Sequence, residues 1–553
     1  MATPVEPGTP PEHGPRSTAP HDLGFVPRRR LRWFAPGLLV RTGVQVAVST
    51  QFAEFLDQRE SQAAVPATTI DLPDEHWIDY ASDCGDGFDA AATVASVIAR
   101  DEVTLGGTRT EAGSVLVLGG DQAYPYASGR EYRDRLVGPY RSMLPWTPRP
   151  RRLFAVPGNH DWYDGLSSFR KQFGQGRWIG GWKTAQTRSY FALDLPGPWT
   201  LWAIDIALGT DVDGEQLAWF RERAAALDPG AVIILCSAKP SWTDGDPDAY
   251  AALDYVEREV IGDRARLRVS LTGDSHHYAR YEGPDGQQKI TAGGGGAYLS
   301  PTHHLPPALD LPPPESVGAA GRPPTRYTLA AGYPAREESR RLRARIAGRI
   351  FDNGLFWLLV SALYLLGAVA WARTVLALTG PGAVTALPVL STAVLTAALI
   401  LGLVGFARSS AAPGRRTVAL GLLHAVAHAV VLTGAVLLAG LSPEPWRETT
   451  ALGAAALAGA VAGPLVVAAY LQVADALGVN SNELFSALGR DSHRCFLRLH
   501  ISPDDDRLTI YPVRIERSAR WTFTPGTDGT RRWFDPDAEP VAELIEDPIV
   551  VLP

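Results

Sequence analysis

The chain has 553 residues and a formal net charge of −7, which is more length than one hydrophobic core serves and gives no reason to expect a nucleic-acid partner. Its three cysteines, Cys84, Cys236 and Cys495, are too far apart to form a disulfide framework, and a reducing compartment fits them. Mean hydropathy is near zero but hides a split between an ordinary soluble first part and a strongly apolar later block, so two to four domains are expected.

Residues 1–27 are rich in Pro, Gly, Ser and Thr without periodicity and read as a disordered tail. No apolar run of signal-peptide type follows the start, so no cleavable secretory signal is expected. Arg28-Arg29-Arg30-Leu31-Arg32 leads into Trp33-Phe34 and an apolar stretch, Gly37 to Val48, that Arg41 and Gln45 interrupt. That stretch is too short and too polar to span a bilayer. It suits either an anionic membrane surface or a basic segment packed on the domain that follows.

From about residue 70 the pattern alternates between apolar strands and helices. Trp77 to Ala81 runs into Ser82-Asp83-Cys84-Gly85, and Asp89 to Ala99 reads as a helix. Ser114 to Leu118 is a buried strand ending at Gly119-Gly120-Asp121-Gln122-Ala123-Tyr124. Leu153 to Val156 is another, stopped by Pro157-Gly158 and followed directly by Asn159-His160-Asp161. Thr200 to Ile206, Ala231 to Cys236 and Leu267 to Leu271 continue the series, the last ending at Gly273-Asp274-Ser275-His276-His277. Strand after strand delivers Asp, Asn or His at its carboxyl end, the layout of an α/β layered domain with one active edge. Asn159 offers a neutral oxygen to a metal, His160 a proton near neutral pH, and Asp161 an acceptor able to orient His160.

Taken together these strand ends offer carboxylate, phenolate, amide oxygen and imidazole, the ligands hard divalent and trivalent ions favour. The set Asp83-x-Gly85, Gly120-Asp121-x-x-Tyr124, Gly158-Asn159-His160-Asp161 and Gly273-Asp274-x-His276 resembles the motifs of the calcineurin-like metallophosphoesterases, over roughly residues 75–305 and in the family's order. The Asp-x-Gly and Gly-Asp-x-x-Tyr forms are closest to purple acid phosphatases. The resemblance implies a layered β-sandwich flanked by helices. It implies that Asp83 and Tyr124 bind a first metal, with His276 completing that site, that Asp121 bridges two metals, and that Asn159 binds the second. It implies that His160 contacts the phosphate and protonates the leaving oxygen with Asp161 orienting it, while a metal-bound hydroxide attacks phosphorus in line. The cofactor would be a dinuclear divalent or mixed-valence centre of Mn, Fe, Zn or Mg.

Two departures matter. Ala238, in Cys236-Ser237-Ala238-Lys239-Pro240, stands where the family has a His ligand, and Asp274 stands where it has another His. Asp274 can still bind an ion, preferring a harder one such as Mg²⁺ or Mn²⁺, and Lys239 could supply a fixed positive charge. Lys239, His277, His303 and His304 are candidate substrate contacts, with Asp205, Asp211 and Asp213 as further pocket candidates. Gly293 to Gly296 suit either a phosphate-binding loop or a tight turn under the site.

Residues 306–350 read as a Pro-rich linker followed by an arginine cluster, Arg336, Arg340, Arg341, Arg343, Arg345 and Arg349. Four apolar segments follow, about 355–372, 383–407, 417–441 and 450–473, each near or above bilayer-spanning length and lacking internal charge. A four-helix transmembrane domain over 351–476 is expected, its close packing carried by the Gly and Ala of the fourth span. Arg408, Arg415 and Arg416 lie between the second and third spans, whereas the other two loops hold only Arg373 and Arg447. The Lys/Arg bias then puts the catalytic domain (28–305) and both termini in the cytoplasm. His424 and His428 share a face of the third span, and a neutral interhelical hydrogen bond is the plainer account of them. Residues 477–553 are soluble and β-rich, with a hairpin from Phe496–Ile501 and Leu508–Ile515.

The leading expectation is a membrane-anchored metal-dependent phosphoesterase acting on a phosphorylated small molecule or lipid headgroup. The alternative is a phospho-ligand-binding pseudoenzyme or sensor with a degenerate second metal site. A transporter with a cytoplasmic regulatory domain is a poor third, since the spans carry no internal carboxylate.

Overall fold

The computed structural model describes residues 23–38, 59–206, 211–319, 321–379, 386–409, 414–443, 445–525 and 531–553. The expected disordered tail up to residue 22, and most of the apolar stretch 37–48, lie outside the described residues. The chain forms two compact units. Among the described residues, the first takes in 23–31, 59–336 and 491–553, and the second 32–38 and 337–490.

The first unit is built on two nine-stranded sheets. Six strands matter most for the site: β1 (Trp77–Ala81), β2 (Val115–Leu118), β3 (Arg151–Ala155), β4 (Val232–Cys236), β5 (Arg266–Thr272) and β6 (Ser492–Ile501). In one sheet β1, β2 and β3 run parallel side by side; in the other β4 and β5 do. Val-Leu-Val-Leu in β2 is buried on both faces, which is why it reads as an unbroken apolar run. The period of two sorts its neighbours. Ile78, Tyr80, Val115, Val117, Phe154 and Val156 face the second sheet and meet Leu201, Val232, Ile234, Val269 and Leu271. Ala81, Leu116, Leu118, Leu153 and Ala155 face outward onto helix α1 (Phe88–Ile98). On the far side Trp202, Ile233 and Leu235 pack with Phe220 of α2 (Gly214–Ala225). The result is four layers, helix on sheet on sheet on helix.

Residues 23–31 pack on this unit. Phe25 is buried with its ring 6.0 Å from Phe88, Leu31 N–H donates to Asp86 at 2.7 Å, and Arg28 Nε donates to Asp134 at 3.0 Å. Residues 23–27, expected in a disordered tail, are thus ordered, because Leu23 and Phe25 find apolar partners.

Two segments expected outside the catalytic domain belong to its sheets. Within the supposed linker 306–350, Ala308–Leu311 and Thr325–Tyr333 are antiparallel strands, the second pairing with Tyr278–Glu282. The prolines at 306, 307 and 312–314 mask them, since they fall at the strand ends rather than within the strands. The tail forms the expected hairpin, β6 pairing antiparallel with Leu508–Arg517, and it extends the catalytic sheet: the other edge of β6 pairs antiparallel with β1, Leu497 opposite Tyr80 and Leu499 opposite Ile78. Arg498 grips Asp79 with two bonds of 2.7 and 3.1 Å, both side chains fully buried. Removing either partner strands the other charge in the core, which costs about 3–5 kcal/mol.

The second unit is a bundle of α3 (Gly354–Thr379), α4 (Ala386–Arg408), α5 (Arg415–Ala439) and α6 (Arg447–Ala476). All four are long and apolar enough to cross a membrane. Small residues let the helices close up: a Cβ on Gly459 would lie 2.7 Å from Ser361 Cα, and Ser361 Oγ donates to Ala456 O at 2.9 Å. Tyr364 Oη lies 2.8 Å from His428 Nδ1, an interhelical bond of the kind expected for that histidine.

Candidate active site

The motif loops leave the carboxyl ends of parallel strands, three adjacent in one sheet and one in the other. Asp83 follows β1, Asp121 and Tyr124 follow β2, Asn159 and His160 follow β3, and Asp274 and His276 follow β5. Backbone groups tie the loops together: Asp83 N–H donates to Gly120 O at 2.9 Å, and Asp274 N–H to Asp83 Oδ2 at 3.0 Å. Asp83, Asp121 and Asp274 have φ of 62°, 49° and 62°. That left-handed region is costly for most residues, and Asp tolerates it through its short polar side chain. Glycine is required where backbone presses on these carboxylates: a Cβ on Gly158 would lie 2.1 Å from Asp121 Oδ1.

Tyr124 Oη sits 2.9 Å from Asp83 Oδ1, 3.1 Å from Asp121 Oδ2 and 3.0 Å from His276 Nε2. One hydroxyl hydrogen cannot serve all three. Burial, then the carboxylates of Asp83, Asp161 and Asp274, push the Asp121 carboxyl well above its usual range. Burial, then Asp121 and Asp83, push up the Tyr124 phenol, and burial with Asp83 raises Asp274. Carboxylates and a phenol thus crowd one another in a buried site. Asn159 gives an independent sign. Its Nδ2 donates to Tyr163 Oη at 3.3 Å, but its Oδ1 is buried without a hydrogen-bond partner, as is Nδ1 of His276. An unsatisfied buried acceptor costs about 1–3 kcal/mol. The donor set and the orphaned amide oxygen both fit divalent cations.

The family model for calcineurin-like phosphoesterases matches residues 76–278, the stretch that holds all of these side chains. The chain carries a calcineurin-like phosphoesterase domain. Domains of this family hydrolyse phosphate esters with divalent metal ions. No curated protein matches the chain.

Within the phosphoesterase domain, one expected pairing is replaced. His160 Nδ1 lies 2.7 Å from Pro125 O, so a backbone carbonyl, not Asp161, orients the ring. Asp161 instead ties two loops, accepting from Gly158 N–H at 2.9 Å, Gln122 N–H at 3.3 Å and the Tyr132 hydroxyl. The reason is geometric: Asp161 is the third residue of the short helix Asn159–Trp162, and its carboxylate turns back to cap that helix. Burial pulls the His160 imidazole down to about 4.

Ala238 lies beside the site, since a Cβ on Gly120 would be 3.1 Å from its methyl and 3.6 Å from Gly158 Cα. Lys239 forms an ion pair with Asp244. His277 is buried beside His276, and burial, then His276, lowers it to about 4. The rings of His303, buried, and His304, exposed, pair at 4.2 Å. Asp205 accepts from Trp162 Nε1 at 3.0 Å and supports the Asn159 helix from behind. Asp213 caps α2 through Gln216 N–H at 3.0 Å, and Asp211 accepts from Arg59. The glycine run braces the Asp83 loop: Gly295 N–H donates to Ser82 O at 2.9 Å and Ala297 N–H to Asp83 O at 2.8 Å. Sequence reasoning missed Pro125, Tyr132 and Tyr163. The first acts through its carbonyl and leaves no trace in residue type, whereas the two tyrosines are polar aromatics near a motif and were open to suspicion.

Proposed function

We propose that this chain is a membrane-anchored phosphoesterase that hydrolyses phosphate mono- or diesters at a two-cation centre. The observation that carries the reading is the meeting of Asp83, Asp121, Tyr124 and His276 at one point, with the orphaned Asn159 oxygen nearby. Asp83, Tyr124 and His276 would hold one ion, Asn159 and Asp274 the other, and Asp121 both. When bound, such ions activate water and neutralise charge growing on the phosphoryl oxygens. His160 faces a carbonyl through Nδ1, which places the neutral ring's hydrogen there and leaves Nε2 as the nitrogen that would take up a second proton and pass it to the leaving oxygen. Asp161 holds the loop that carries His160 rather than the ring itself.

Membrane anchoring rests on four helices of sufficient length and apolarity. They are inserted between two segments of the phosphoesterase unit, which must reach the same side of the bilayer to fold together. An even number of crossings is therefore required, and four satisfies it. The arginine-rich connections, with Arg340, Arg341, Arg345, Arg408, Arg415 and Arg416, favour the cytoplasmic side for that unit. A phosphorylated lipid headgroup and a soluble phosphate ester are both compatible with the site.

Ala238 favours a second reading, a phospho-ligand sensor without turnover, because it offers a methyl beside the second cation position. Purified protein with Mn²⁺ and chromogenic mono- and diesters decides between them. Turnover lost in His160→Ala supports the hydrolase, and a zero rate that the substitution leaves unchanged supports the sensor.

A further inference from the structure

Among α3, α4 and α5, with Val467 of α6, lies a cavity of about 410 Å³. Its wall is mainly apolar, with Phe356, Leu363, Leu399, Leu403 and Leu432, and among the described residues no Lys, Arg, Asp or Glu lines it. Tyr364 and His428 bring it polar heads on opposite helices, 2.8 Å apart. His428 Nε2 is in turn 3.2 Å from His424 Nε2, and the His424 ring stacks on Tyr470 at 4.0 Å. His424 Nδ1 is buried without a partner. This relay fixes the Tyr364 hydroxyl against an imidazole. Whichever of the two donates, the phenol oxygen keeps at least one lone pair to accept a hydrogen from a guest.

We infer that the cavity binds a long-chain lipid alcohol, its chain against the leucines and its hydroxyl donating to the Tyr364 oxygen. The size is that of a small-molecule pocket. An anionic head such as a phosphate is disfavoured, since no cation among the described wall residues would meet it and an unpaired buried charge is costly. A plain hydrocarbon would leave the tyrosine's acceptor unused. An alcohol of this kind is what hydrolysis of a lipid phosphate leaves behind, so the proposed reaction is of a class that supplies the ligand. Only that link rests on the hydrolase reading.

The test uses full-length protein in phosphatidylcholine nanodiscs, photolabelled with a diazirine-bearing hexadecanol and mapped by mass spectrometry. Adducts should concentrate on the cavity-lining residues of α3, α4 and α5. Unlabelled hexadecanol should compete, whereas hexadecyl phosphate and hexadecane should not. A Cβ at Gly402 meets nothing within 4 Å, so Gly402→Phe should fill the cavity and cut labelling about tenfold. His428→Phe should weaken labelling, and His428→Gln, which keeps a hydrogen-bonding group beside Tyr364, should retain it. Hexadecane competing as well as the alcohol overturns the inference, as does labelling that survives Gly402→Phe with an unchanged thermal melt. Labelling requires no turnover, so a failed hydrolase assay leaves it standing and the two readings fail separately.

Discussion

On one side of Asp121, Tyr124 reaches Asp83 and His276 within 3.0 Å, and three loops are stitched together by backbone bonds. The proposed second cation position would draw instead on Asn159, with an orphaned oxygen, and on Asp274, whose carboxyl burial and Asp83 push up, with the methyl of Ala238 close to the Asp121 and Asn159 loops. The first region has a dense donor set already gathered; the second has fewer nitrogen donors and more carboxylate. In the proposed account the two ions are therefore held unequally, a tight one by the Tyr124 side and a weaker, harder one by the Asn159 side.

The largest blow to this picture is Asp121→Ala, which removes the carboxylate common to both sides. Hydrolysis should fall by about 10³-fold or more, with both ions lost in metal analysis. An ion retained at full stoichiometry would break the comparison. Next, His160→Ala should lower kcat by about 10²–10⁴-fold while metal content stays unchanged, which separates proton transfer from ion binding.

Asp205, behind the Asn159 helix, gives a pH-dependent handle on the weaker side. Burial raises its carboxyl from 3.8 to about 7 in the fold. The folded state thus binds a proton that the unfolded chain releases, and stability falls as pH rises across that window, then levels off. The loss from this group is on the order of 4 kcal/mol, and Asp205→Asn should flatten that part of a denaturation–pH curve. The smallest effect is a gain: Ala238→His should tighten the weaker ion about tenfold, read by titration. No change would mean that position 238 does not face the second cation.

The centre was legible because each strand and its ligand are neighbours in sequence. Val115–Leu118 announces itself by apolarity, and Asp121 follows three residues later. The same locality misled at Asp161, where adjacency to His160 suggested a pair that the short helix turns apart. The four apolar helices were equally plain, since length and composition alone mark them. The hairpin partner of β6 was legible but its second partner was not: strand alternation shows that Phe496–Ile501 is a strand but not that it joins β1 more than four hundred residues earlier. Arg498, an arginine in an apolar strand, was the available hint, because a buried guanidinium needs a buried carboxylate such as Asp79.

The most direct measurement is calorimetric titration of the metal-stripped full-length protein with Mn²⁺, beside Tyr124→Phe, His276→Ala and Asn159→Ala. The account predicts two binding events of unequal affinity, the tighter weakened by Tyr124→Phe and His276→Ala and the weaker by Asn159→Ala. Wild-type protein that binds no ion, or variants that bind as the wild type does, would contradict it.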